Sequence, residues 1–388
     1  MKKRRSFHVA FVAAIAILGI GLVAAHADNA FKSLAPGVEY RHDVRPAGPL
    51  SIHVLRIDRH QKWNLETGLG QGTVYGLESL DGIVRRTAAV TKKPAVAAIN
   101  GDFFVIKPGP YQGDPRGLQI TQGELVSRPM GSSFWITPSG ELKTGPVESK
   151  LRVIGPDYRV ELPLGLNEVR ADDEIALYTP TLGLRPNEMP KEPPTTHTKG
   201  GRELVLEREG RLWLPIQAGK TYSAKVAEVR DGGSSPLQAD KMVFSIGPKL
   251  MFPATKVGDV LQLAMETKPN LEGVKTALGA GRILVTGGKL PDLGPKNQPR
   301  HPRSMIGWND NYLYFIVVDG RQLFSIGMTY PEMAALVKEY GCVEAVELDG
   351  GGSSTLWAMG KILNSPSDLR PRAIANGLIL FRNEGVKP

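Results

Sequence analysis

The stretch Glu347-Leu348-Asp349-Gly350-Gly351-Gly352-Ser353-Ser354-Thr355 limits the possible folds of this chain more than any other. An apolar run, Val343 to Leu348, precedes it and reads as a buried strand. Three glycines in a row remove every Cβ, so the backbone there can turn sharply and come close to a ligand. A turn of this kind offers backbone N–H groups to an anion. Ser353, Ser354 and Thr355 add hydroxyls, and Asp349 sets a carboxylate at the strand's exit. A tight turn that only needs positive φ is the plainer reading. A site for a small anionic or hydroxyl-rich substrate is the sharper one.

A second strand-to-turn junction lies early in the chain. Ala95 to Ile99 is apolar and leads into Asn100-Gly101-Asp102-Phe103-Phe104, again with a carboxylate after a glycine turn. Phe103 and Phe104 either pack inside or form an apolar wall for a sugar ring. Further on, Arg303 opens a strand that begins Arg303-Ser304-Met305-Ile306-Gly307, so it is held more rigidly than Arg300 and His301 in the loop before it. The strand Tyr312 to Val318 ends in Asp319-Gly320-Arg321. Thr329 and Glu332 have capping-box spacing at the start of a helix that runs to Tyr340, which explains Glu332 without a catalytic role. Leu80 to Val90 is the other helix the apolar spacing predicts, and Ala373 to Phe381 is a last strand.

Residues 1–27 read as a signal peptide. Lys2 to Arg5 form its basic end, Val9 to Ala25 its apolar run, and Ala25-His26-Ala27 the small-x-small cleavage site. The expectation is an exported protein, periplasmic or extracellular, with no membrane contact after cleavage. Without that segment's four basic residues the formal charge falls from +9 to +5. Such a balance, with basic and acidic residues interleaved, is no nucleic-acid footprint. Cys342 is the only cysteine, so no disulfide forms within the chain. Histidines are scattered with no zinc-ligand spacing. The reading therefore requires no cofactor and leaves the metal unassigned, with a divalent cation such as calcium compatible with the loop carboxylates. Residues 28–388 read as one domain, with a β-rich insertion around 140–250 that carries no recognisable signature.

Taken in order, these motifs resemble the phosphodiester glycosidase family. The matching residues are Asn100 to Phe104, Pro302 to Gly307, Val318 to Arg321, Gly327 to Thr329, Glu332 to Ala334, Leu348 to Thr355, Asn364, Arg372 and Ala375-Asn376, densest over 279–382. The resemblance implies an α+β fold, a large and mainly antiparallel β-sheet architecture with few helices. It also implies hydrolysis of a sugar-1-phosphodiester, with a phosphorylated or phosphodiester-linked glycan as partner. On that reading Asp349, Asp102 and Asp319 are the catalytic candidates. Arg303, Arg321, Asn100, Gly101, Gly350, Gly351, Gly352, Ser353, Ser354, Phe104, Asn364 and Arg372 would bind substrate or phosphate. Chemically the set is sensible. A phosphate leaving group needs charge stabilisation more than a strong acid, and a carboxylate must still serve the anomeric carbon. The alternative is a non-catalytic glycan-binding or exopolysaccharide-assembly protein on the same fold.

Overall fold

A computed structural model describes residues 30–109, 111–183, 194–295 and 297–382. The segment read as a signal peptide lies outside them. The described strands form four hydrogen-bonded sheets with two α-helices among them, and nearly every pairing is antiparallel. The exception is the short edge strand Gly165–Leu166, which runs parallel to Ile175–Tyr178. This is the mainly antiparallel, helix-poor α+β architecture expected from the sequence.

The central sheet has seven strands, in the order Lys32–Ala35, Val38–Arg45, Leu50–Asp58, Tyr312–Val318, Arg303–Trp308, Glu344–Leu348 and Ile283–Val285. Its middle strands are apolar at nearly every position because both faces are covered. Leu313, Phe315 and Val317 alternate onto one face, packing with Ile99, Leu356 and Leu378 of a neighbouring five-stranded sheet. Tyr314, Ile316 and Val318 alternate onto the other, under Met333, Leu336 and Val337 of α2 (Tyr330–Glu339). The Glu332 carboxylate accepts the Thr329 N–H at 2.9 Å, closing the capping box at the helix start.

The five-stranded neighbour carries Ala95–Asn100 at its centre, between Leu356–Ala358 and Asn376–Arg382. Its outer face is covered by α1 (Leu80–Thr91), which buries Leu80, Ile83, Val84 and Thr87. Ser79 caps this helix by accepting the Gly82 N–H. A further eight-stranded sheet is built from segments within 148–268, around its own core of Leu204, Leu206, Phe244, Leu261 and Leu263.

Antiparallel register decides where the polar junctions meet. Arg303 pairs with Val318, and Ser304 with Leu348, so the start of one strand lies beside the ends of its two neighbours. In the second sheet Asn100 pairs with Gly377. The two sheets therefore bring Asp102, Arg303, Asp319, Asp349 and Asn376 to one edge of the sandwich.

Candidate active site

Asn100 holds the two sheets together at that edge. It is fully buried, donates from Nδ2 to the Asp349 carbonyl at 2.7 Å, and accepts on Oδ1 from Ser304 Oγ (2.7 Å) and Thr355 N (3.0 Å). The Asp349 N–H donates to the Gly101 carbonyl at 2.9 Å. With every hydrogen-bonding atom used on protein, the Asn100 side chain positions Asp349 rather than touching a ligand. Gly101 is required for close approach: a Cβ there would lie 2.1 Å from Asn376 Oδ1, the atom that accepts the Asp102 N–H.

Asp102 and Asp349 form the carboxylate pair of the site. Asp102 is buried, accepting on Oδ1 from Phe103 N (2.7 Å) and on Oδ2 from Gly117 N (2.8 Å). Burial outweighs those two bonds and pushes its carboxyl up to about 7, with the charge of Asp349 adding to the rise. Asp349 is partly exposed and accepts the Gly350 N–H at 2.9 Å. Desolvation raises it to about 6, opposed by Ser353, Gly350 and Arg372 and assisted by Glu347. Two carboxyls with neighbouring raised values in one cleft can carry acid and base roles near neutrality.

Asp319 has a different setting. Ser51 Oγ (3.0 Å) and His53 Nε2 (2.9 Å) contact its Oδ2, while Asn364 Nδ2 (3.1 Å) and Ser365 N (3.0 Å) donate to its Oδ1. Buried and engaged on both oxygens, the carboxylate fixes the turn that carries Arg321, and it lines a cavity with His42, His53 and Asn364. Asn364 also donates to the Ser354 carbonyl and accepts the Leu356 N–H, so it too is a strut.

The guanidinium groups divide in the same way. Arg303 is buried, with Nε on the Met328 carbonyl, Nη1 on Glu347 Oε1 at 3.1 Å and its plane 4.1 Å from the Tyr330 ring centroid. Its charge is therefore answered inside the protein by Glu347, which opens the glycine-turn stretch and to which the sequence assigned no role. An acid inside an apolar strand was the available signal. Alternation along Glu344–Leu348 places Glu347 on the same face as Asp349. Arg321, in contrast, is exposed and left-handed at φ 60°, and has no ion pair among the described residues. Its fork lies over Gly351, where a Cβ would be 3.1 Å from Nη2. Arg372 lies over Gly352, is paired with Asp368 at 2.8 Å and reaches Ser353 Oγ at 3.5 Å. The glycines let two cations approach the turn from either side. Between Arg303 and Arg321, His301 is held below its ordinary value by burial and by both charges.

Two expectations change. Most amides of the glycine turn are taken within the protein, leaving Gly352 as the exception: Gly350 donates to Asp349, Gly351 to Pro302, Ser353 to Gly350 and Ser354 to Gly351. The Ser353 and Ser354 side chains are buried, and Ser354 Oγ has no hydrogen-bond partner. Phe104 forms no sugar wall, because it packs into the core with Ile83, Trp357 and Phe381 beneath α1. A groove of about 440 Å³, lined by Trp63, Arg59 and Lys275, contains no carboxylate, whereas one of about 390 Å³ is lined by His42, His53, Asp319, Phe324 and Asn364. Among the described residues no set of His, Cys, Asp and Glu side chains is arranged to hold a metal ion.

Glycine also makes room for Asp102. A Cβ on Gly279 would lie 2.1 Å from Asp102 Oδ2 and 2.8 Å from the Gly117 backbone. Gly279→Ala should therefore destabilise the fold by about 1–3 kcal/mol, as overpacking does, and displace Asp102. Urea unfolding and turnover of the variant check this, and a variant with both unchanged would contradict the packing described.

Residues 217–381 match the model of a family described as phosphodiester glycosidase. The match contains Arg303, Arg321, Glu347, Asp349 and Arg372, and leaves Asp102 outside. Over 82 residues the chain is 44% identical to the SPbeta prophage-derived uncharacterized protein YomE of Bacillus subtilis (strain 168), spanning 21% of this chain but 13% of that protein. Its fold is similar to that of a hypothetical protein from Synechocystis, with TM-score 0.69 and 19% identity over 91% of this chain and 63% of that one. A Burkholderia pseudomallei K96243 protein named for its proposed export gives TM-score 0.62 at 20% identity, covering 86% and 74%. The catalytic domain of zebrafish N-acetylglucosamine-1-phosphodiester alpha-N-acetylglucosaminidase, auto-inhibited by its pro-peptide, gives 0.47 at 14%, covering 91% and 86%. The chain thus spans less than two thirds of the Bacillus and Synechocystis proteins. No helix among the described residues is long and apolar enough to cross a membrane.

Proposed function

We propose that this chain, whose C-terminal part carries the phosphodiester glycosidase pattern, hydrolyses a sugar-1-phosphodiester at the anomeric C–O bond. Water supplies the oxygen of the free sugar, and the phosphate leaves as a monoester. One observation carries this reading: the Asp102–Asp349 pair stands beside a turn flanked by the cations of Arg321 and Arg372. Asp349, the more exposed of the two, is the group that meets the anomeric carbon or its attacking water. Asp102 holds a proton close to neutrality and exchanges it during the reaction. Arg321 and Arg372 stabilise the charge that builds on the departing phosphate, and fixed guanidinium groups do so with little reorganisation. Arg303, Asn100, Asn364 and Asp319 keep those groups in place. Export rests on the composition of residues 1–27 alone.

Hydrolysis of sugar-1-phosphodiesters in ¹⁸O water, with products weighed by mass spectrometry, tests the reading. Label in the sugar is the expected result. Label in the phosphate would replace it with P–O cleavage, and binding without turnover would favour the glycan-binding alternative.

A further inference from the structure

Beside the Arg321 guanidinium the chain makes a tight turn, with Gln322 and Ser325 exchanging backbone hydrogen bonds at 3.1 and 3.2 Å. Leu323 and Phe324 occupy its two central positions and are 98% and 53% exposed. The base of the turn is anything but loose. Ser325 is fully buried, donates from Oγ to the Asp319 carbonyl at 2.6 Å and accepts the Ser51 N–H at 3.0 Å, while Ile326 N donates to Pro49. A rigid mount therefore holds two apolar side chains out in water.

A second tip stands next to the first. Gln322 Nε2 donates to the Ser365 carbonyl at 2.9 Å, tying this turn to the loop that leads to Arg372. At the crest of that loop Leu369 is 99% exposed, with φ at +63°. A branched side chain in the left-handed region is costly where glycine or asparagine would serve a mere turn, so its presence there calls for a use. Arg370 follows it, exposed, and neither Arg370 nor Arg321 has an ion pair among the described residues. Single exposed apolar residues elsewhere on the surface need no explanation. This group differs because Leu323, Phe324 and Leu369 stand on two turns that Gln322 ties together, beside Arg321 and Arg370.

We propose that the two tips dock the protein on an anionic lipid surface, with the Asp349 cleft turned toward the headgroups. Apolar side chains on separate crests, with an arginine adjoining each turn, suit shallow insertion into a bilayer interface. Unpaired arginines complement anionic headgroups, and the chain's net positive charge acts in the same sense. A protein partner would want a broad, continuous contact area, which two narrow crests do not offer. This docking is independent of which bond the site cleaves. It also adds to the expectation that the mature chain has no membrane contact: no helix among the described residues is long and apolar enough to cross a membrane, and the tips rest on its surface instead.

Co-sedimentation of the mature chain, residues 28–388, with vesicles of phosphatidylglycerol and phosphatidylcholine, against phosphatidylcholine alone, tests the proposal. The expected result is binding to the anionic vesicles that weakens with salt and falls at least tenfold in Leu323→Asp/Leu369→Asp. The melting temperature of that variant should match the parent, since both side chains are already in water, and its turnover of a water-soluble substrate should be unchanged. No binding to anionic vesicles would overturn the proposal. Equal binding by the double variant would also do so, because general basic charge would then suffice. A dimer in sedimentation velocity that the double variant abolishes would assign the tips to a second copy of the chain instead.

Discussion

Asp349→Asn should lower turnover by about a hundredfold or more, the usual loss when a positioned acid–base group is neutralised, while leaving the melting temperature nearly unchanged. The amide oxygen can still accept the Gly350 N–H, and the backbone bond to Gly101 is untouched. Asp319→Asn should behave in the opposite way, losing stability through its contact with buried His53 more than turnover per folded molecule. A destabilised but fully active Asp349→Asn would remove that residue from the chemistry. The pH profile of the parent adds a second readout. Activity should rise as Asp349 ionises near 6 and fall as Asp102 loses its proton near 7. Because the two carboxyls interact, the limbs report the pair rather than either residue. Stability follows with a definite sign. Both values stand above the ordinary carboxylate value of 3.8, so the fold favours the protonated forms. That contribution is complete below 3.8 and is lost as pH rises through about 6 and about 7. Asp349→Asn should therefore lose less stability than the parent over the same window.

The strand ends were legible because their signals are local. An apolar run, a glycine and an acid mark Asp102 and Asp349 as plainly as they mark Asp319, and the structure begins a strand at Arg303 as expected. What distinguishes the three acids is not local at all. Asp319 meets Ser51 and His53, more than 260 positions earlier in the chain, and both partners engage its Oδ2. The same limit applies to Phe104, whose burial depends on Trp357 and Phe381. It applies to the glycine turn too. Three glycines permit an open cradle of amides, but permission is not occupancy, and acceptors such as the Pro302 carbonyl claimed most of the donors. Gly279 and Gly281 stand just ahead of the strand Ile283–Val285. Their purpose appears only when Asp102 and Glu347 are found in the space where side chains would have been.

Glu347 joins the site's stability to its chemistry. Its carboxylate is 1% exposed and answers the charge of Arg303, itself 5% exposed. Removing one partner of such a pair leaves a buried charge uncompensated, which costs about 3–5 kcal/mol. Glu347→Ala should lose that much in urea unfolding at neutral pH, although Met328 and Tyr330 still hold the guanidinium. Replacing both partners with apolar residues should restore much of the loss, because nothing charged is then left without an answer. Glu347→Gln separates the two roles. It keeps the shape and one acceptor for Arg303, but removes a negative charge that helps to raise Asp349. The acid limb of the activity profile should then move to lower pH. A loss under 1 kcal/mol for Glu347→Ala would mean that Arg303 finds water or another partner. A large loss for Glu347→Ala with no movement of the limb in Glu347→Gln would leave Glu347 as a support for Arg303 and nothing more, and the raised value of Asp349 would then rest on burial alone.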